Sequence, residues 1–133
     1  MEDCIFCKVV KGEAKSWKVY ENEHVYAFLD IHPMNKYHTL IIPKKHYNSI
    51  FDIPELELKE VISVVRKLVK LYETKIGIKN VQIINSSGAE AQQDVFHAHF
   101  HIAPRKKGDG QDINWTTHPE WTKDYDKMLE NLK

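Results

Sequence analysis

Three histidines stand at every second position between Val95 and Arg105, and they are the residues best equipped for chemistry. His97, His99 and His101 alternate with Phe96, Ala98, Phe100 and Ile102. A period of two reads as a β-strand over His97–Ala103, whose side chains leave on alternate faces. All three imidazoles are therefore expected on one face, roughly 6.5–7 Å apart. The apolar set then packs on a core, and Pro104 closes the strand. A neutral imidazole is a nucleophile near neutral pH, and a protonated one stabilises an anion. A row of them can divide those duties at a phosphoryl centre. One ring attacks phosphorus while a neighbour holds the non-bridging oxygens. The central ring, His99, is favoured as the attacker because it has a helper on each side. Histidines at i and i+2 can also share a metal ion, a second use for the row.

Cys4 and Cys7 form the other reactive pair. Two thiolates at this spacing can hold one Zn²⁺, with distant histidines completing a tetrahedron. Idle thiols and a redox pair are the alternatives, and the redox pair needs a βα context that this N-terminus lacks. Two cysteines are also fewer than a disulfide scaffold uses.

These groups need a frame. Lys8–Lys11 suits a short helix ended by Gly12. Lys18–Tyr20 and His24–Leu29 read as strands joined by the turn Glu21-Asn22-Glu23. Asp30 follows at the strand end, then a loop around Pro33–Lys36, then a strand over His38–Pro43. Leu40, Ile41 and Ile42 are apolar in succession, so both faces of that strand are expected to be covered. A long helix begins near Pro54, with Glu55, Glu57 and Glu60 at its positive end. Leu58, Val61, Ile62, Val65, Leu68, Val69 and Tyr72 give it one apolar face, and Gly77 ends it. Val81–Asn85 is a fourth strand, and Ser86–Asp94 a polar loop before the histidines. These elements make five strands with one long and one short helix.

The 133 residues suit one domain, with a core over about 4–105 and a tail over 106–133. The tail carries Trp115 and Trp121, which suits a partner surface or a tail folded back on its own core. Nineteen basic and nineteen acidic residues leave no net charge, which argues against general affinity for nucleic acid or anionic membrane. Any phosphate recognition must be local. No apolar run approaches the ~20 residues of a membrane span. The acidic start Met-Glu-Asp-Cys has no signal-peptide core, so a cytoplasmic location is expected.

His97-Ala98-His99-Phe100-His101-Ile102-Ala103 resembles the defining motif of the histidine triad (HIT) superfamily, His-φ-His-φ-His-φ-φ with φ apolar. Cys4–Lys8, Ala27–Ile31 and His38–His46 are similar to blocks of its nucleotide-binding Hint/Hit branch, in the same order along the chain. The resemblance implies a homodimeric α+β fold with an antiparallel sheet. It implies cleavage at the α-phosphorus of purine nucleotide conjugates, such as nucleoside phosphoramidates or dinucleoside polyphosphates, with an AMP-like product. His99 would form a covalent nucleotidyl intermediate, His101 would contact the α-phosphate, and His38 would support the site. Asp30 would bond the ribose hydroxyls, and Ile5, Phe6, Phe28 and Ile31 would surround the base. A carboxylate suits that role, since it accepts bonds from a diol.

The loop before the motif departs from the family pattern. Asn85, Ser86 and Gln93 stand where nucleotide contacts are implied, with Asn85 one position early. Asp94 occupies the place of a phosphate-contacting hydroxyl, and an ionised carboxylate cannot donate. Its backbone N–H remains available. The resemblance further implies a structural zinc on Cys4, Cys7, His46 and His97. A contrasting function is an AMP-binding partner module with vestigial catalysis, which the intact triad disfavours.

Overall fold

The strands β1 (Lys18–Glu21), β2 (Val25–Leu29), β3 (Thr39–Pro43), β4 (Val81–Ile84) and β5 (Phe100–Pro104) form one sheet in the order β1-β2-β3-β5-β4. Every pairing is antiparallel. These elements come from a computed structural model that describes residues 3–133. Helices α1 (Ile5–Lys11) and α2 (Glu55–Ile76) cover opposite faces of the sheet.

Register decides which side chains share a face. Phe28 pairs with Leu40, and Leu40 pairs with His101, so these three point the same way. Ala27, Ile41 and Phe100 are likewise in line and point the other way, towards α2. The α2 side is the larger core. It packs Val25, Ala27, Ile41, Phe100 and Ile102 against Val61, Val64, Val65, Leu68 and Tyr72. Each such side chain fully buried contributes roughly 1.5–3 kcal/mol. The helix face differs from the sequence expectation at one place: Ile62 is 43 % exposed and Val64 is buried. Ile62 lies about 100° around the helix from Val61, which carries it past the contact line.

On the other face α1 packs Phe6 and Val9 onto Tyr26, Phe28, Leu40 and Ile42. This helix begins at Ile5, earlier than the sequence suggested, because the Cys4 Sγ accepts the Cys7 backbone N–H at 3.3 Å and caps it. Gly12 ends it at φ 78°, a left-handed conformation that glycine takes without strain.

The last strand also starts later than expected, at Phe100. β4 stops at Ile84 opposite His101, and the pairing with β3 stops at Ile41 opposite Phe100 although β3 itself runs on to Pro43. The segment before it bonds to loops instead. The Ala98 N–H donates to the Tyr47 carbonyl at 2.7 Å, and Asn85 Nδ2 donates to the His99 carbonyl at 3.0 Å.

After Lys106 the chain runs along the outside. Arg105 grips Asp109 through two bonds of 2.8 Å, and Asn35 Nδ2 bridges Asp109 and the Pro104 carbonyl. Beyond that anchor the tail does not fold back on the core. Trp115 is 82 % exposed, and a second short helix, α3 (Tyr125–Glu130), ends the fold. No helix of the described residues is long and apolar enough to cross a membrane.

Candidate active site

A cavity of about 300 Å³ opens between α1 and the sheet. Ile5, Phe6, Phe28 and Ile31 form apolar wall, and Asp30, Asp94, His99 and His101 supply polar groups, with Asp30 close to His101. Val9, Ala14, Lys15, Ser16, His32, Leu40 and Val95 complete the lining. Lys15, Ser16 and His32 sit in irregular segments with no periodicity, so nothing in the sequence marked them.

The hydrogen bonds fix how each imidazole is protonated. His99 Nδ1 lies 2.7 Å from the His97 carbonyl, which can only accept. Nδ1 therefore carries the proton, and the Nε2 lone pair is free. The ring is 3 % exposed yet lines the cavity. Phe6 braces it edge-on, with ring centroids 5.3 Å apart. That contact comes from α1, so the N-terminal helix positions the His99 ring.

His38 and His101 form a relay. The Met34 backbone N–H donates to His38 Nδ1 at 3.1 Å, so a neutral His38 holds its proton on Nε2. That proton is donated to His101 Nδ1 at 2.9 Å, with the Asp30 carboxylate 3.4 Å away. His101 is left with its proton on Nε2, as a donor. Burial holds His101 down at about 4, and the neighbouring His99 and His38 push the same way. Burial also lowers His38, against the opposing pull of Asp30. Both rings stay neutral near pH 7, and the site presents one lone pair at His99 beside one donor at His101. Their centroids are 5.1 Å apart.

The row of three is split by role. All three rings lie on the α1 side of the sheet, with Phe6 5.9 Å from His97. His97, however, is fully buried and turned to the cysteines. Its Nδ1 lies 3.4 Å from Cys4 Sγ and 3.6 Å from Cys7 Sγ. A shared three-histidine metal site is thereby ruled out for this geometry.

Cys4, Cys7, His46 and His97 each offer one ligand atom, all within 4.8 Å of one another. The donor set suits a tetrahedral ion with bonds of roughly 2.0–2.3 Å. The outer contacts fit as well. His97 Nε2 donates to the Pro43 carbonyl at 2.8 Å, and His46 Nε2 donates to Asn48 Oδ1 at 3.1 Å. Both Nδ1 lone pairs are thus aimed at the thiols, the arrangement that orients metal-bound histidines. Burial and the adjacent Cys4 push the Cys7 thiol up, so it stays protonated unless a cation replaces the proton. Asp30, His38 and His101 also cluster. There the two rings spend their facing nitrogens on each other, which leaves no convergent lone pairs.

Three expected contact residues lie outside the cavity lining. Asn85 holds the His99 carbonyl, and its Oδ1 accepts from Ser87. Gln93 is buried and bonds Asn48, Val95 and Gly88, which fastens the loop. Ser86 is half-buried beside Asn85 and faces neither the cavity nor the cluster. Asp94 does reach the site, with Oδ1 3.7 Å from His99 Nε2. Asp30 has a local duty too, since Oδ1 accepts the His32 N–H at 2.8 Å.

A histidine with Nε2 open beside a neighbouring imidazole donor, an apolar wall and two carboxylates share one cavity on an antiparallel sheet. A family model for the HIT domain matches residues 11–108. The chain belongs to the HIT family. An uncharacterised HIT-like protein of Methanocaldococcus jannaschii is 45 % identical over 98 % of both chains. An adenosine 5'-monophosphoramidase of Candida albicans is 38 % identical over 94 % of this chain and 84 % of its own. Among solved structures, a HIT family protein from Bacillus anthracis superposes with a TM-score of 0.91 at 35 % identity, covering 98 % of this chain and 95 % of that one. A zinc-bound histidine triad protein from Mycobacterium smegmatis gives 0.79 at 28 % identity over 99 % of each.

Proposed function

We propose that this protein is a nucleotidyl hydrolase or transferase acting on AMP conjugates through His99. The observation that carries the reading is the fixed tautomer: Nδ1 is held by a carbonyl, and Nε2 faces the cavity. The base lies between Phe6, Phe28, Ile5 and Ile31, and the ribose hydroxyls donate to Asp30. Nε2 forms a bond to the α-phosphorus as the bond to the leaving group breaks, and that group departs with its electron pair and takes a proton from solvent. His101 Nε2–H bonds a non-bridging oxygen throughout. Water then cleaves the phosphorus–Nε2 bond, releasing AMP and a proton and restoring neutral His99. The phosphoramidase activity of the Candida relative supports this chemistry. A brief quench with an AMP phosphoramidate is expected to leave a nucleotidyl group on His99 by mass spectrometry. Turnover with no such adduct under rapid quench, and retention in a His99 variant, overturns it.

Asp30→Asn keeps the shape but weakens the acceptor and can turn an amide donor towards the diol. We expect kcat/KM for an AMP conjugate to fall roughly tenfold, as for loss of a charge-assisted hydrogen bond. The matching 2',3'-dideoxy conjugate should lose little. Equal losses on both would assign Asp30 to the His38 relay alone.

The Cys4–Cys7–His46–His97 group holds a structural zinc in this reading. When bound, the ion supplies a fixed charge and tetrahedral anchoring, and it takes no part in the reaction. We also infer a homodimer. β4 is an edge strand with Ile83 44 % exposed, and the tail leaves Trp115 and Leu132 each 82 % exposed. A second copy would cover such apolar surface. Light scattering at micromolar concentration should return the mass of two chains; the mass of one would sink this inference. A cytoplasmic enzyme of small-molecule conjugates agrees with the balanced charge.

A further inference from the structure

A second hollow, of about 440 Å³, adjoins the nucleotide cavity. The two share Ile5, Asp94 and Val95, which form a ridge between them. Beyond that ridge Asp3, Asn48 and Phe96 face the hollow, and Cys4 and His46 of the Cys/His cluster form its back. Phe96 is 51 % exposed and offers an apolar floor. Asp94 and Asp3 are its charged residues, and no lysine or arginine joins them among the described lining. A zinc ion on two thiolates and two imidazoles would add no net charge there, so the two carboxylates set a local negative field.

Asp94 stands where this field matters. Its Oδ1 lies 3.7 Å from His99 Nε2, its side chain is 84 % exposed, and the Val95 N–H donates to the same oxygen at 2.9 Å. In a near-attack geometry the phosphorus sits roughly 3–3.5 Å from Nε2. The carboxylate is then a few ångströms from the phosphoryl group and the atom leaving it. A leaving group of more than a few atoms has no room in a cavity already filled by a nucleoside, and the ridge leads it into the second hollow.

We propose that this hollow is the leaving-group subsite and that Asp94, aided by Asp3, selects leaving groups carrying a positive charge. The inference rests on the nucleotidyl-transfer reading above. Substrates of this class are AMP phosphoramidates of amines with a second ammonium group. Their P–N–H can donate to the carboxylate, whereas a bridging oxygen cannot. Polyphosphate tails are repelled, so discrimination has both an attractive and a repulsive part.

The test uses three AMP phosphoramidates of equal chain length, ending in an ammonium, a methyl and a carboxylate group. All three break the same P–N bond. For the wild-type protein kcat/KM should fall in that order, with roughly tenfold or more between the ends at low salt. The contrast should shrink at high salt and collapse towards unity in Asp94→Asn, with a smaller change in Asp3→Asn. Competition with a fluorescent AMP analogue in His99→Asn protein ranks the same compounds without turnover. Equal ranking of all three compounds in both assays overturns the subsite, as does a preference untouched by either substitution. Ranked binding without any wild-type turnover upholds the subsite and overturns the nucleotidyl-transfer reading instead.

Discussion

His99→Asn is expected to lower kcat on AMP conjugates by at least about 10⁴-fold, the scale on which a covalent nucleophile is lost. The asparagine amide is not nucleophilic, and no neighbour can replace the ring. His101 Nδ1 is occupied by His38, and its Nε2 carries a proton. His97 Nδ1 faces Cys4 and Cys7. The melting temperature should stay within a few degrees, because Phe6 rests on Phe28 as well as on His99. AMP binding should persist, since the base slot and Asp30 are untouched. His101→Asn is the comparison. It removes an oxyanion donor rather than the attacking atom, and a loss of about 10²–10³-fold is expected. Steady-state and single-turnover kinetics separate the two. If His99→Asn retains parental turnover with a folded protein, another group attacks phosphorus and the mechanism fails.

The sequence made the rings legible and left their division of labour hidden. Alternation at 97, 99 and 101 placed all three on one face, and the structure puts that face on the α1 side. What separates them is tertiary. Pro43 ends β3 and exposes a carbonyl that takes His97 Nε2, while Tyr47 and Asn85 bend the chain so that Nδ1 of His99 meets its own neighbour's carbonyl. Of those partners only the His97 carbonyl lies within the local pattern. The same limit applies to Asn85 and Gln93. The family resemblance marked them as nucleotide contacts, but a polar side chain serves equally to bind ligand or to satisfy backbone, and both hold backbone carbonyls here. Asp94 was visible as an anomaly of charge, and only its 3.7 Å approach to Nε2 gives that anomaly a direction. The sheet was easier, because Leu40, Ile41 and Ile42 must be covered on both faces and the apolar residues of α1 and α2 are there to cover them. The tail escaped the reading, since exposed tryptophans look alike in sequence whether they face solvent, a partner or their own core.

Chelation by a strong zinc ligand is expected to lower the melting temperature by at least about 10 °C. For a domain of this size that corresponds to a loss of about 3 kcal/mol or more. The folded state holds four convergent donors, whereas the unfolded chain separates Cys7 from His97 by ninety positions, so the ion favours the folded form. Its loss does not stay local. Cys4 caps α1, Cys7 lies within it, and α1 carries Phe6 onto His99. KM for the nucleotide should therefore rise before kcat falls, as the helix loosens over the base slot. Cys7→Ser should reproduce both effects, and chelator added to that variant should cause no further change. Metal analysis of untreated protein should return one zinc per chain. Two would mean that Asp30, His38 and His101 also hold an ion, against their hydrogen bonding. A metal-free protein whose melting temperature ignores both chelator and Cys7→Ser removes the zinc. The capping of α1 by Cys4 Sγ would then have to hold Phe6 against the nucleophile unaided.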